Sequence, residues 1–199
     1  MENDEQYHNR VLIAKIWEIY LFSQAVSIWG GIPKSQAFNA GERVPYDKES
    51  DIYYAMLNDL KACADGLKMD GDVYKADPIF PSGQKSSDLL KWKKFANSLR
   101  LRYAMRISDA NPQKAQEEFE KALAADGGII ASGADDALIP YLDIAFDFGG
   151  ESYSDYRRNA LSQRLYGNDP RNNPSFICST FYNQLFNTGD PRFFAIIRF

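Results

Sequence analysis

Between Val11 and Gly30 the chain carries two apolar stripes at helical spacing, one of Leu12, Ile16, Ile19 and Val26 and a second of Ile13, Trp17 and Tyr20. A helix that is apolar on two sides must be covered on two sides, so it belongs inside a layered helical array. By length alone the run could pass for a transmembrane span. Lys15 and Glu18 in its first half, followed by Ser23, Gln24 and Ser27, argue against a lipid-facing helix. The helix is expected from about Asp4 to Trp29, ended by Gly30-Gly31 and kept from resuming by Pro33.

Further helices follow the same logic. Asp47 reads as the N-cap of a second helix, with Glu49 and Asp51 in its first turn, where the helix dipole favours acids. Its apolar positions are Ile52, Met56, Leu57, Leu60 and Leu67, and it is expected to end near Gly71. The stretch from Asp70 to Ser87 holds two prolines and two glycines and is too long for a simple connection, so it is functional or mobile. A third helix, about Asp88 to Ser108, places Trp92, Phe95, Ala96, Leu99, Tyr103 and Ile107 on one face. Asn111 then caps a fourth helix, Pro112 takes its first position and Gly127 closes it. Ala115, Phe119 and Ala122 match the small–large–small pattern of a tetratricopeptide (TPR) second helix, although Arg102 departs from the first-helix pattern. Residues 129–173 read as an irregular excursion, and Asn173-Pro174 opens a short helix through Phe186, closed by Gly189.

Composition excludes some classes of function. A net charge of −4 and the apolar stripe on the basic third helix give no nucleic-acid surface. On that helix the lysines and arginines are expected on a solvated face, with Arg100, Arg102 and Arg106 tied to acids such as Asp59 or Asp109. Cys63 and Cys178 are far apart in sequence without metal-type spacing and read as two separate small residues. The sole histidine, His8, has no evident partner, and neither Asp135-Asp136 nor Asp143 with Asp147 makes a convincing carboxylate pair for glycoside hydrolysis. No catalytic residue, metal ligand or cofactor motif is expected. The opening "MENDEQYHNR" has no basic n-region, and the chain stops inside the apolar, strand-like "RFFAIIRF", so it is expected to be a fragment of a longer protein.

Four segments together resemble the SusD/RagB family of outer-membrane lipoproteins. They are "IYLFSQAVSIWGGIPKSQAF", "YDKESDIYYAMLNDLKACADGL", "DLLKWKKFANSLRLRYAMRIS" and "NPSFICSTFYNQLFNTGDPR". The third is the most specific. The resemblance implies an all-α, TPR-like helical array with long irregular loops, a truncated SusD-like fold. It is expected as one domain fragment over 1–199, with a helical part at about 4–127 and a loop-rich part at about 128–199. It further implies a non-catalytic protein on the surface of a Bacteroidetes-type outer membrane. Such a protein captures glycans or other oligomeric nutrients for a SusC-like TonB-dependent transporter. The membrane attachment would be a lipid anchor, whose signal and cysteine this sequence does not contain. The alternative is a soluble TPR-like scaffold for protein partners.

Ligand residues are not shared by motif in that family, so the candidates rest on residue type and loop placement. They are Trp29, Tyr46, Tyr74, Tyr153, Tyr156 and Arg157, aromatic faces for sugar rings beside hydrogen-bond donors for hydroxyls. In the stretch from Ser27 to Asp47 a turn comes first and a site second, with Trp29 packing the helix end and Tyr46 more open.

Overall fold

A computed structural model of the chain describes residues 5–38, 43–82, 84–141 and 177–196. The chain divides into two compact units, Met1–Ile139 and Pro140–Phe199. The fold is all-α and TPR-like, and the described residues contain helices and no strand. In the first unit lie α1 (His8–Trp29), α2 (Glu49–Gly66), α3 (Lys85–Arg106) and α4 (Pro112–Leu123). Each packs chiefly on its neighbour in sequence, α1 on α2, α2 on α3 and α3 on α4, the serial stacking of a helical array.

The two stripes of α1 merge into one wide face. Ile13, Ile16, Ile19 and Val26 are buried, and Leu12, Trp17 and Tyr20 pack against the same core as half-buried residues. The helix is long and apolar enough to cross a membrane by length and composition, but this face is spent on the core it shares with α2 and α3.

The start of α1 is capped from a distance. Its own N-cap residue, Tyr7, offers no side-chain bond. The carboxylate of Asp72 accepts from the backbone N–H groups of Asn9 (2.9 Å) and Arg10 (3.3 Å), and also binds the Arg10 guanidinium at 3.0 Å. An acid therefore sits where the helix exposes unsatisfied N–H groups and its positive dipole end. Beside it, the fully buried Asn9 side chain pairs with the backbone of Lys68, donating to its carbonyl (2.7 Å) and accepting from its N–H (2.9 Å). His8 also finds a partner, its Nε2 lying 2.9 Å from the Gly66 carbonyl. This knot stops α2 at Gly66, short of the expected Gly71, because Leu67 turns extended and buries its side chain.

Asp47 does not cap α2. The capping position is Lys48, without a side-chain bond, although Glu49 and Asp51 occupy the first turn as expected. The Asn111 cap of α4 is present, its side chain accepting from Lys114 N–H at 3.1 Å with Pro112 at the first helical position.

Helix α3 is the hub of the first unit. Leu89, Trp92, Phe95, Ala96, Leu99 and Tyr103 fill the core, and its polar residues reach sideways to hold the loops. Trp92 Nε1 donates to Asp77 (2.7 Å), whose other oxygen accepts from the N–H groups of Ile79 and Phe80. The stretch between α2 and α3 is thus pinned, with Ile79 and Phe80 buried and Phe80 edge-on to Trp92.

Lys93 pairs with Asp126 at 2.6 Å, and Asn97 Nδ2 donates to the carbonyls of Asp126 and Gly128. Gly127 is required between them: its φ is +82°, and a Cβ there would lie 2.6 Å from Lys93 Cδ. Lys94 holds Asp135 at 2.8 Å, and Ser98 accepts from Ile130 N–H at 2.9 Å. The basic face is accordingly not all solvated, for Lys93 and Arg100 are buried. Asp59 pairs with Lys15 at 3.4 Å instead of an arginine of α3, and Arg100 donates to Asn97 within its own helix.

In the second unit, α5 (Ser179–Asn187) and the single turn α6 (Phe193–Ile196) close on Leu185, Tyr182 and Phe193. The strand-like reading of the C-terminal run is corrected over 193–196, which is helical. The expected start of α5 at Asn173 lies outside the described residues. Its end is a Schellman turn: Gly189 at φ +63° donates to Phe186, and Asp190 donates to Leu185. Asp190 then accepts from the Arg192 backbone and guanidinium, which holds its carboxyl at about 2. Cys63 is buried and Cys178 exposed, both free thiols; burial pushes Cys63 up to about 11.

Removing the Asp77 carboxylate strands three donors. Asp77→Ala should cost about 2–3 kcal/mol in urea unfolding, whereas Lys61→Ala at the exposed Lys61–Asp65 pair should cost under about 0.5 kcal/mol. Equal costs would contradict the pinning of the loop. Acid should also destabilise the fold. Burial alone would raise Glu118, but the Lys114 hydrogen bond and the Lys114 and Lys121 charges outweigh it and hold the carboxyl below its ordinary 4.5. A depressed folded pKa means the contribution is complete above the unfolded value and disappears as pH falls through the folded one. The urea midpoint should therefore drop below about pH 4.5, and Glu118→Gln should flatten that drop.

Candidate functional site

The candidate site is built from the described residues 30–38 and 43–47, the two legs that follow α1 and precede α2, held together by a few short-range constraints. Gly30, at φ +73°, ends α1 with its N–H on the Val26 carbonyl at 2.8 Å. Gly31 then passes so close to the other leg of the loop that a Cβ would stand 2.5 Å from the Asp47 carbonyl oxygen. Asp47 N–H donates to the Ile32 carbonyl at 3.0 Å and shuts the base, where Ile32 is buried.

The Asp47 side chain braces the interior of the loop. It accepts from the Ser35 hydroxyl at 2.7 Å and from the Ser35 N–H at 2.6 Å, and these bonds hold its carboxyl below the usual carboxylate range. Lys34 adds a cation–π contact, with its ammonium 5.5 Å from the Phe22 ring centre.

What this frame presents is aromatic. Trp29 is 70% exposed, Phe38 84% and Tyr46 75%. Trp29 does not pack the helix end; it stands in solvent at the mouth of the braced loop. The apolar faces of these rings are open to solvent and available for stacking. Phe38 is the residue that sequence reasoning missed. Its signal was a large aromatic in a turn-rich segment without a helical periodic partner.

The other candidates lie elsewhere. Tyr74 donates its hydroxyl to the Arg10 carbonyl at 3.0 Å, at the opposite end of α1 from Trp29. Nineteen residues of helix separate Arg10 from Trp29, about 29 Å. Tyr74 is half-exposed there and belongs to a different surface from Trp29 and Tyr46. Tyr153, Tyr156 and Arg157 lie outside the described residues, as do Asp143 and Asp147. Asp135 is engaged by Lys94, whose hydrogen bond lowers its pKa, so it forms no free carboxylate pair with Asp136. Among the described residues no three of His, Cys, Asp and Glu converge on a point where a metal could sit.

The helix order, the α3 anchors and the loop after α1 form a recognisable set. The family model described as "Starch-binding associating with outer membrane", a SusD-like family, matches residues 1–199. The chain belongs to the SusD-like family. Among solved structures, one described as Bacteroidetes AC2a SusD-like is 38% identical over 98% of this chain and 35% of its own, with a TM-score of 0.81. A chitin-binding protein is 30% identical over 96% of this chain and 37% of its own, with a TM-score of 0.75. A SusD homologue from Bacteroides uniformis is 33% identical over 65% of this chain and 26% of its own, with a TM-score of 0.56. This SusD-like chain therefore spans about a third of the length of the first two solved relatives. No curated protein matches it.

The close approach at Gly31 makes a direct prediction. Gly31→Ala must push the loop leg off Asp47 and should lower stability by about 1–2 kcal/mol in urea unfolding. A variant as stable as the parent would show that the two legs are not in contact.

Proposed function

We propose that this SusD-like chain is the part of a surface nutrient-binding protein that grips a glycan through exposed aromatic rings at the end of α1 and in the segment that follows it. The observation that carries the reading is Trp29 at the end of α1 with Phe38 and Tyr46 in the segment after it, three largely exposed rings beside the Asp47 brace. Pyranose rings present apolar C–H faces, and such faces stack on aromatic rings. Membership of a family described by starch binding supports a glycan, as does the 30% identity to a chitin-binding protein.

The protein works without catalysis, at the cell outer membrane, as a lipoprotein beside a SusC-like TonB-dependent transporter. Holding an oligomer next to that transporter raises its effective concentration there. The family's association with the outer membrane supports this placement. Tyr74, on its own surface at the other end of α1, and Tyr153, Tyr156 and Arg157 are further sugar-contact candidates by residue type.

The serial packing of α1 to α4 favours one alternative, a TPR-like scaffold for peptides. Retention of the chain on insoluble chitin and on starch, with an immobilised helical peptide library as the third arm, separates the two. The reading expects retention on a polysaccharide with no release of reducing ends. Trp29→Ala and Tyr46→Ala should each weaken it by about two- to ten-fold. Retention on peptides alone, or polysaccharide binding indifferent to both substitutions, would overturn it.

A further inference from the structure

A second feature of the first unit is independent of the aromatic loop. A cleft of ≈ 310 Å³ opens between α1, α2 and α3, with Ser23 and Ser27 on one side, Tyr53 behind, and Arg102, Tyr103 and Arg106 on the other. Met105 completes the wall. Arg102 and Arg106 are four residues apart on α3, so both guanidinium groups share one face of that helix. Both are exposed, and neither side chain forms an ion pair or hydrogen bond with a described residue. Two cations left unpaired side by side on a chain of net charge −4 repel each other and gain nothing from the fold.

The floor of the cleft carries an unmet donor. Tyr103 is buried and its hydroxyl has no hydrogen-bond partner, an arrangement that costs stability unless a ligand or water supplies an acceptor. Burial pushes its pKa up to about 12, so the phenol is neutral at physiological pH and can donate. Nearby Ser23 gives its own proton to the Tyr20 carbonyl at 2.6 Å, and its oxygen, the acceptor beside the Tyr103 phenol, lies outside hydrogen-bond geometry. Ser27 gives its proton to the Ser23 carbonyl at 2.7 Å and lies 3.5 Å from the hydroxyl of the buried Tyr53. The donors outnumber the acceptors, and two of them are cationic.

An oxyanion fits this inventory. Arginine forks match carboxylate and sulfate geometry, and the neutral phenol adds a third donor. The C-terminal carbonyls of α3 oppose an anion by about half a charge, which two guanidinium groups outweigh. The cleft volume is at the lower end of the ligand-site range and suits about one sugar residue, not a long chain.

We infer that the Arg102–Tyr103–Arg106 cleft binds an oxyanion carried by a sugar, a uronate carboxylate or a sulfate ester, so that the nutrient is an acidic glycan. This rests on the glycan reading above and narrows its substrate class.

The probes are glucuronate-bearing and sulfated oligosaccharides, a neutral chito-oligosaccharide and an Asp/Glu tripeptide, each titrated calorimetrically into the full chain. At least one acidic oligosaccharide should bind more tightly than the neutral one, with an affinity that falls as salt rises. The carboxylate and sulfate arms identify which oxyanion is taken. Arg102→Gln with Arg106→Gln should weaken that binding at least about ten-fold, Tyr103→Phe should weaken it less, and Lys61→Gln, an exposed cation outside the cleft, should leave it unchanged. Equal affinity in the parent and the double arginine variant overturns the inference, as does binding of the tripeptide in preference to both acidic sugars. Failure of the glycan reading registers separately, as no retention on any polysaccharide and no response to Trp29→Ala. Thermal unfolding of each variant confirms that it is folded.

Discussion

Asn97 has no exposed surface, and its amide donates to two carbonyls of the turn that follows α4 while accepting from Arg100. A buried amide is costly unless its hydrogen-bonding groups are met, so the turn at 126–128 and the axis of α3 are set together. Lys93, Ser98 and Lys94 repeat the device along the stretch after α4, at Asp126, Ile130 and Asp135, and Trp92 repeats it at Asp77 in the stretch before α3. The apolar residues of α3 give the first unit its core. Its polar residues make the connections between helices as definite as the helices themselves.

That arrangement explains what the "KWKKFANSLRLR" run encodes. It reads as a basic amphipathic helix, and the periodicity gives its core face correctly. Periodicity carries no information about which lysine is buried, because the answer depends on Asp126 and Asp135, some thirty to forty residues away. The same limit applies at the start of α1, where Asp72 caps from a distant loop and His8 finds the Gly66 carbonyl. Local signals fared better: Asn111-Pro112 opens α4 and Gly30 ends α1 as their chemistry requires.

Asp47 shows how a local signal can mislead. An acid two residues before a helix reads as a cap, yet its carboxylate turns back to Ser35 and braces the preceding loop. The consequence is functional. With the base shut by Ile32 and Gly31, the loop is a frame, and Trp29 and Tyr46 flank it in solvent. Sequence reasoning named both residues but gave Trp29 to the helix end, because hydrophobic residues near a helix terminus usually pack and nothing local says otherwise. Tyr74, named on the same grounds, belongs to the far end of α1.

The central claim is that Trp29, at the end of α1 beside the braced loop, meets the ligand. The chain has three tryptophans, and they occupy different settings: Trp29 exposed, Trp17 half-buried against the core, and Trp92 hydrogen-bonded to Asp77. Their indole N–H signals in a nitrogen-edited NMR spectrum can be followed separately while a chito- or malto-oligosaccharide is added. The account predicts that the Trp29 indole shifts to saturation while Trp92 stays in place. Saturable binding that leaves Trp29 unmoved would contradict it.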